Sequence, residues 1–254
     1  MTRQGKKSFS SRRKNSRYVA KRSQILAYEA LERRQMLTAS LGFNTIGASF
    51  SDADITSALP NPEGDVSPDY YVEIGEQTFT VFSRDSSEVV LTKSLNQFFS
   101  DAGADLVGED LQNPRIVFDR GTQRWFAAAT GDGEGPLAGN WVHLAFSDTA
   151  DPSGQWKQVQ FVPDITGLRL HTDISMGVDA DGVYLSTRNL INGVLQDVSI
   201  YSIPKAELFL PNPTITNISK FDNLATSVYG GQIQFASNFE ASDGTMFAFS
   251  NRDA

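Results

Sequence analysis

Twelve short runs of β-branched and aromatic residues, a hairpin plan repeated about every 60 residues and an abrupt change of charge at residue 34 predict the architecture. The predicted fold class is all-β and β-propeller-like, with about four recognisable blades read as an incomplete ring. A disordered basic tail and a short amphipathic helix precede it. The 254 residues are enough for one large β domain with a sizeable core.

Taken in order, residues 1–40 form a basic tail and export-like region. Residues 1–34 carry 11 Lys or Arg against Glu29 and Glu32, a balance of +9, whereas residues 35–254 carry 11 basic and 28 acidic residues, a balance of −17. The first 24 residues show almost no apolar periodicity, which predicts disorder. From Gln24 to Ser40, Ile25, Tyr28, Leu31 and Met36 recur at close to helical spacing and give one short apolar face. Glu29, Glu32, Arg33 and Arg34 interrupt it, so it is not a transmembrane span, and nothing later in the chain is apolar and long enough for one. The basic head followed by small residues has the order of a signal region without its uninterrupted apolar stretch.

Residues 41–63 read as a linker, part of a Gly/Ser/Asp/Pro-rich lead-in that extends to residue 68. Residues 64–254 are the β body. Candidate strands are Tyr70–Ile74, Thr78–Ser83, Val89–Thr92, Arg115–Asp119, Arg124–Ala129, Val142–Ser147, Lys157–Phe161, Ile174–Val178, Val183–Thr187, Val198–Ser202, Gly231–Phe235 and Met246–Ser250. Single helical turns are expected at Ser94–Phe99 and Lys205–Phe209. The repeat lies in RIVFDRGTQRWFAAAT (115–130), SMGVDADGVYLSTR (175–188) and NFEASDGTMFAFSN (238–251). Each has a strand, an Asp-led turn containing Gly, then an aromatic-led strand. Asp119 and Asp179 stand 60 residues apart, and Asp181 and Asp243 stand 62 apart. Aspartate suits such turns because its carboxylate accepts from backbone N–H groups two residues on. A hairpin recurring at this interval points to propeller blades more than to a sandwich.

Two resemblances attach to these residues. Leu31, Glu32, Arg34 and Leu37 in LERRQML resemble the LEPR-XLL type of N-terminal export and surface domain of planctomycete bacteria, with Arg33 in place of Pro and Met36 in place of Leu. The phrases GDVSPDYYVEI, NPRIVFDRGTQRWFAA, LAFSDTADPSGQW, TDISMGVDADGVYLSTRN and FEASDGTMFAFSN resemble a family of secreted bacterial β-propeller proteins. These resemblances imply a secreted or cell-surface protein, extracellular in location. Members of that family run on past the last phrase, so this chain looks like a shortened copy.

Composition narrows the chemistry. With no cysteine, disulfides and thiolate metal sites are excluded, and with only His143 and His171 a multi-histidine centre within the chain is not expected. Both histidines read as structural or loop residues. Arg169, His171, Asp173 and Arg188 are the candidate ligand-binding residues, since their loop falls at one face of a propeller. TGDGEGPLAGN (130–140) offers Asp132 and Glu134 as oxygen ligands for Ca²⁺, though plain turns are favoured there and at DADG (179–182), and no other cofactor is expected. SDTADPSGQW (147–156) has the elements of a sialidase Asp-box at longer spacing and reads as a hairpin loop, with Trp156 packing into a blade.

Nucleic acid is not an expected partner, because the acidic body repels the polyanion that the basic head would attract. The sequence therefore leads to a secreted or cell-surface binding or scaffold protein without catalytic activity. Its partner would be a carbohydrate or a cell-surface protein, and the open blade edges favour self-association. The alternative is a sialidase-like glycoside hydrolase, decayed or active. Arg115, Arg124, Arg169 and Arg188 could serve its substrate carboxylate, but the F/Y-R-I-P motif is absent.

Overall fold

The computed structural model describes residues 61–106, 108–133, 141–237 and 244–251, with side chains omitted at 132 and 133. The basic tail, the amphipathic helix with Leu31, Glu32, Arg34 and Leu37, and most of the linker lie outside the described residues.

The body is all-β and built from antiparallel sheets whose strands follow one another in sequence. The first sheet holds β1 (Glu63–Val66), β2 (Tyr70–Ile74), β3 (Thr78–Ser83) and β4 (Val89–Ser94), closed by helix α1 (Leu95–Asp101). The second holds β5 (Glu109–Asp119), β6 (Arg124–Gly133), β7 (Trp141–Ser147) and β8 (Trp156–Phe161). The third holds β9 (Leu170–Val178), β10 (Gly182–Ile191), β11 (Val194–Pro204) and β12 (Ser219–Ala225), with α2 (Lys205–Leu208) and α3 (Thr226–Tyr229) flanking β12. A two-stranded sheet pairs β13 (Ile233–Phe235) with β14 (Ala248–Ser250). The first strands of successive sheets, β1, β5, β9 and β13, pack side by side, which is the stacking of propeller-like blades.

The residue pattern of the second sheet explains why it sits in the middle. Along β6, Trp125, Ala127 and Ala129 face one core, while Phe126 and Ala128 face the other. Strand side chains alternate between faces, so a sheet covered on both faces reads as the continuous apolar run WFAAA. The alanines keep that sheet thin enough for neighbours to close on each side. The first core joins it to Phe79, Val81, Phe98 and Phe99 of the first sheet and α1, with Trp156 set edge-on to Phe79 and Phe98. The second core joins it to Ile174, Val178, Leu185, Tyr201 and Leu208. Trp125 is fully buried and donates from Nε1 to the Ala150 carbonyl at 2.9 Å, so its polar atom is matched.

The Asp-led turns form at the end of the sheets remote from residues 109 and 170. Asp119 Oδ1 accepts from Gly121 N at 2.9 Å, and Asp179 Oδ1 accepts from Asp181 N at 2.9 Å and Gly182 N at 2.8 Å. The two turns are joined across blades by Lys205, whose Nζ lies 2.6 Å from Asp119 Oδ2 and also donates to the Asp179 carbonyl.

Several sequence expectations change in detail. β1 begins inside the segment read as a lead-in, because Asp65 reaches across to accept from Phe118 N at 2.7 Å and holds that short strand against β5. β12 was not expected: its alternating exposed residues lack a continuous apolar signal, and it forms by pairing with β11. β5, β9, β10 and β11 run several residues beyond the sequence estimate at their polar ends, where bulges and ladder pairing extend them. Most of the third repeat copy, 238–243, lies outside the described residues. No helix among the described residues is long and apolar enough to cross a membrane.

Candidate functional site

A groove of about 940 Å³ opens at the end of the sheets where β5 and β9 begin, opposite the Asp-led turns. Its wall comes from the β2–β3 turn, the start of α1, the first half of β5 and the bulge of β9. The lining is mostly polar.

The local sequence explains how β5 serves this wall. In QNPR (112–115), Pro114 has no N–H for the ladder, so strand pairing slips between Gln112 and Arg115. Asn113 absorbs the bulge with φ +54°, a conformation that asparagine tolerates better than most residues. Its backbone N–H is thereby freed from the sheet and donates to both Glu76 carboxylate oxygens at 3.1 Å. Its side-chain amide donates to Thr172 Oγ1 at 2.9 Å, bridging β5 to β9. Asn96 of α1 fixes the start of β5 by donating to the Glu109 carbonyl and accepting from Leu111 N, each at 3.1 Å.

β9 repeats the device. Its register with β10 shifts between Ser186 and Arg188, and Asp173 sits at φ +48°. The bulge turns Asp173 into the groove, where its Oδ2 is 2.6 Å from Arg188 Nη1. Two equivalent inner strands thus place a left-handed residue at the same mouth, a form of backbone strain that clusters at functional sites.

Glu76 and Asp173 consequently occupy different environments. Burial pushes the Glu76 carboxyl up from its ordinary value; the Asn113 N–H, Asn61 and Arg115 oppose the shift, and the nearby Asp173 charge adds to it. Asp173 is held in an ion pair with Arg188. Arg115 also lines the groove, paired with Glu63 at 3.3 Å.

The four ligand-binding residues expected from sequence divide between two places. Asp173 belongs to the groove, with Arg188 as its partner. Arg169 and His171 line a separate cavity of about 330 Å³. His171 is not a loop residue: it lies in β9, is 1% exposed, and contacts Thr187 Oγ1 through Nδ1 at 3.1 Å. His143 is structural, fully buried in β7 with Nε2 2.9 Å from Glu109 Oε2. The arginine cluster of a sialidase does not assemble. Arg124 stands at the opposite end of the second sheet over the Phe209 ring, and Arg169 pairs with Asp197 and Asp222. Glu134 and the side chain of Asp132, the candidate Ca²⁺ ligands, lie outside the described residues. Among the described residues, no group of three His, Asp or Glu side chains could hold a metal ion. Asp151 shapes its turn by accepting from Ser153 N at 2.9 Å.

Sequence reasoning missed Glu76 and Asn113. Glu76 lies in an ordinary-looking hairpin turn, GEQ, and only the fold brings it to β5. The signal for Asn113 was legible: a proline directly after asparagine within a strand pattern marks a bulge.

No protein-family model matches the chain, and no curated protein matches it. Several solved structures are similar in part, among them these three. One is an exo-β-1,3-galactanase from Clostridium thermocellum, with 15% identity and TM-score 0.41, covering 62% of this chain and 35% of that one. Another is an exo-β-1,3-galactanase from Phanerochaete chrysosporium, with 17% identity and TM-score 0.38, covering 64% and 38%. The third is a GH43 β-1,3-galactosidase, with 18% identity and TM-score 0.37, covering 62% and 34%. The chain thus spans little more than a third of the length of these structures. The expectation of a binding or scaffold protein without catalytic activity is not upheld: the structures named are glycoside hydrolases. At TM-scores below 0.5 they carry no weight on substrate or mechanism, and both must rest on the groove itself.

Proposed function

We propose that the chain carries a glycoside hydrolase site in the groove between β2–β3, β5 and β9, with Glu76 and Asp173 as its two carboxylates. The observation that supports this is their contrast in environment across one polar groove. Glycosidic cleavage needs a carboxylic acid to protonate the leaving oxygen and a carboxylate to act as base or nucleophile. Glu76, with its raised pKa, is suited to the acid role. Asp173, paired with Arg188, is suited to the anionic role. Arg115, Thr172 and Asn61 supply hydrogen-bonding groups for sugar hydroxyls along the wall. The arrangement differs from a sialidase in having no arginine triad, so a neutral glycan fits it better than a sialic acid.

The finer architectural reading, about four blades of a propeller, is supported by three four-stranded sheets followed by the β13–β14 sheet. Export to the cell surface or beyond belongs to the same proposal; its support is the basic head of residues 1–34, the LEPR-XLL resemblance and a glycan substrate class met mainly outside the cell.

The test is release of p-nitrophenol from a panel of aryl pentosides and hexosides, with reducing-sugar release from β-linked oligosaccharides alongside. Asp173→Asn is expected to abolish release from both kinds of substrate and Glu76→Gln to abolish release from the oligosaccharides, whose leaving oxygen needs its proton, while both leave the thermal melt close to wild type; only oligosaccharide turnover is diagnostic for Glu76. Oligosaccharide turnover that survives in either variant would assign the chemistry elsewhere, and a folded wild-type chain inert across the panel would sink the reading.

A further inference from the structure

The cavity lined by His171 is separate from the groove, and that residue has a buried polar atom without a partner in the fold. Of the buried side-chain polar atoms lacking a hydrogen bond among the described residues, His171 Nε2 alone belongs to this cavity. Buried polar groups are almost always matched, so an orphan beside a cavity marks where something else binds.

A chain of hydrogen bonds fixes what that atom can accept. Asn189 Nδ2 lies 2.6 Å from Asp197 Oδ1 and 2.7 Å from Ser199 Oγ. A carboxylate only accepts, so the amide nitrogen must face Asp197, which leaves Asn189 Oδ1 as an acceptor. Thr187 donates to that oxygen at 3.0 Å, so its hydroxyl proton is committed. Thr187 Oγ1 can therefore only accept from His171 Nδ1 at 3.1 Å, and the Tyr201 hydroxyl, 3.4 Å from the same nitrogen, accepts beside it, which puts the ring proton on Nδ1. Nε2, on the other side of the ring, carries a bare lone pair and requires a donor.

The surrounding charges are already balanced. Lys220 pairs with Asp222 at 2.7 Å and donates to the Pro163 carbonyl at 2.7 Å. Arg169 pairs with Asp197 at 3.4 Å and donates to Asn223 Oδ1 at 2.7 Å. Asp164 accepts from Thr166 Oγ1 at 2.6 Å and from Arg169 N at 3.0 Å. With cations and carboxylates matched in number along the wall, neither an anion nor a metal cation is favoured. Leu168, 71% exposed, and Ile191 add an apolar edge. At about 330 Å³ the space falls within the range of small-molecule sites.

We infer that this cavity is a second ligand site, taking a neutral polyhydroxylated molecule of monosaccharide size whose hydroxyl group donates to His171 Nε2. Its apolar C–H face lies on Leu168 and Ile191, while Lys220, Asp222 and Arg169 exchange hydrogen bonds with the remaining hydroxyls. Burial, with Lys220 and Arg169 adding to it, lowers the His171 pKa to about 4 against the opposing pull of Asp164 and Asp222, so the lone pair is available at neutral pH. This site stands independently of hydrolysis in the groove.

The experiment is long-range ¹H–¹⁵N NMR of the ¹⁵N-labelled chain at pH 7, titrated with D-galactose, D-glucose and D-xylose. The free chain is expected to show His171 protonated at Nδ1 and bare at Nε2. At least one sugar is expected to shift the Nε2 resonance saturably while the His143 resonances stay in place. Glu76→Gln should keep that shift, which separates failure of this site from failure of the groove. His171→Phe should weaken sugar binding, followed by calorimetry, at least about tenfold, the loss expected for one hydrogen bond of ordinary strength. Should that variant not fold, the surface change Leu168→Glu serves instead and is expected to weaken binding by removing the apolar edge. An Nε2–H tautomer in the free chain, or no saturable shift with any of the three sugars, would overturn the inference and leave the cavity to water.

Discussion

Replacing Lys205 with methionine isolates the bond that ties the second sheet to the third. Lys205 Nζ sits 2.6 Å from Asp119 Oδ2, both side chains are 3% exposed, and the ammonium also donates to the Asp179 carbonyl. It lies 5.4 Å from the centre of the Phe126 ring as well. Methionine keeps most of the volume and removes the charge, so the cost is chiefly that of leaving Asp119 buried without its cation. Breaking a buried pair from one side typically costs about 3–5 kcal/mol. Asp119 retains Gly121 N, Thr122 N and the Thr122 hydroxyl as donors, which places the expected loss near the lower end, about 3 kcal/mol. The assay is urea unfolding at pH 7, read at constant m-value so that the change reflects stability.

The same pair predicts the pH dependence of that loss. Burial opposes ionisation of Asp119, but Lys205, Thr122 and Gly121 together outweigh it and hold the carboxyl below its ordinary 3.8. A carboxyl depressed in the folded state contributes stability above its unfolded value and loses it as the pH falls through the folded value. The gap between wild type and Lys205→Met should therefore be full above about pH 5 and shrink below 3.8. Adding Asp119→Asn to Lys205→Met should recover part of the loss, giving a coupling energy of about 1 kcal/mol or more. A loss under about 1 kcal/mol at pH 7, or a gap that does not change with pH, would refute the assignment of this pair as the link between blades.

Other predictions follow from the site and its frame. Glu76→Gln should lower hydrolysis by at least about 100-fold, and wild-type activity should fall as the pH rises through the raised Glu76 pKa, because the acid form is then lost. Asn113→Ala should cost about 1–2 kcal/mol more than Asn113→Gly, because both lose the bridge to Thr172 but only alanine is strained at φ +54°; both are read by thermal melts. Gly177→Ala places a Cβ 2.4 Å from Phe235 Cβ, which should push β9 from β13 and destabilise by about 1–3 kcal/mol in urea unfolding. The buried His171, with its pKa lowered from 6.5 to about 4, should contribute stability that is complete above pH 6.5 and declines by up to about 3 kcal/mol as the pH falls through 4. His171→Phe should flatten that part of the stability profile.

The residue pattern alone determined the class of fold, the position of most strands and the chemistry of the turns. Period-two alternation and aspartate-led turns are local signals, set within a few residues of sequence. They are why Asp119, Asp151 and Asp179 could be read as turn-formers and Trp156 as a packing residue. The same signals understated the polar ends of β5, β9 and β10, where ladder pairing and bulges, rather than side-chain pattern, extend the strands.

Only the tertiary structure decided which carboxylates meet. Glu76 and Asp173 are nearly a hundred residues apart, and their approach depends on two bulges and on the Asn113 bridge to Thr172. It likewise separated Arg169 and His171 from Asp173 and Arg188, although a short loop reading had grouped all four. In a strand, a single bulge changes which side a residue faces, and the environment that sets an acid's protonation comes from elements distant in sequence. Turn chemistry is therefore carried by neighbours in the chain, whereas the site is carried by neighbours in space.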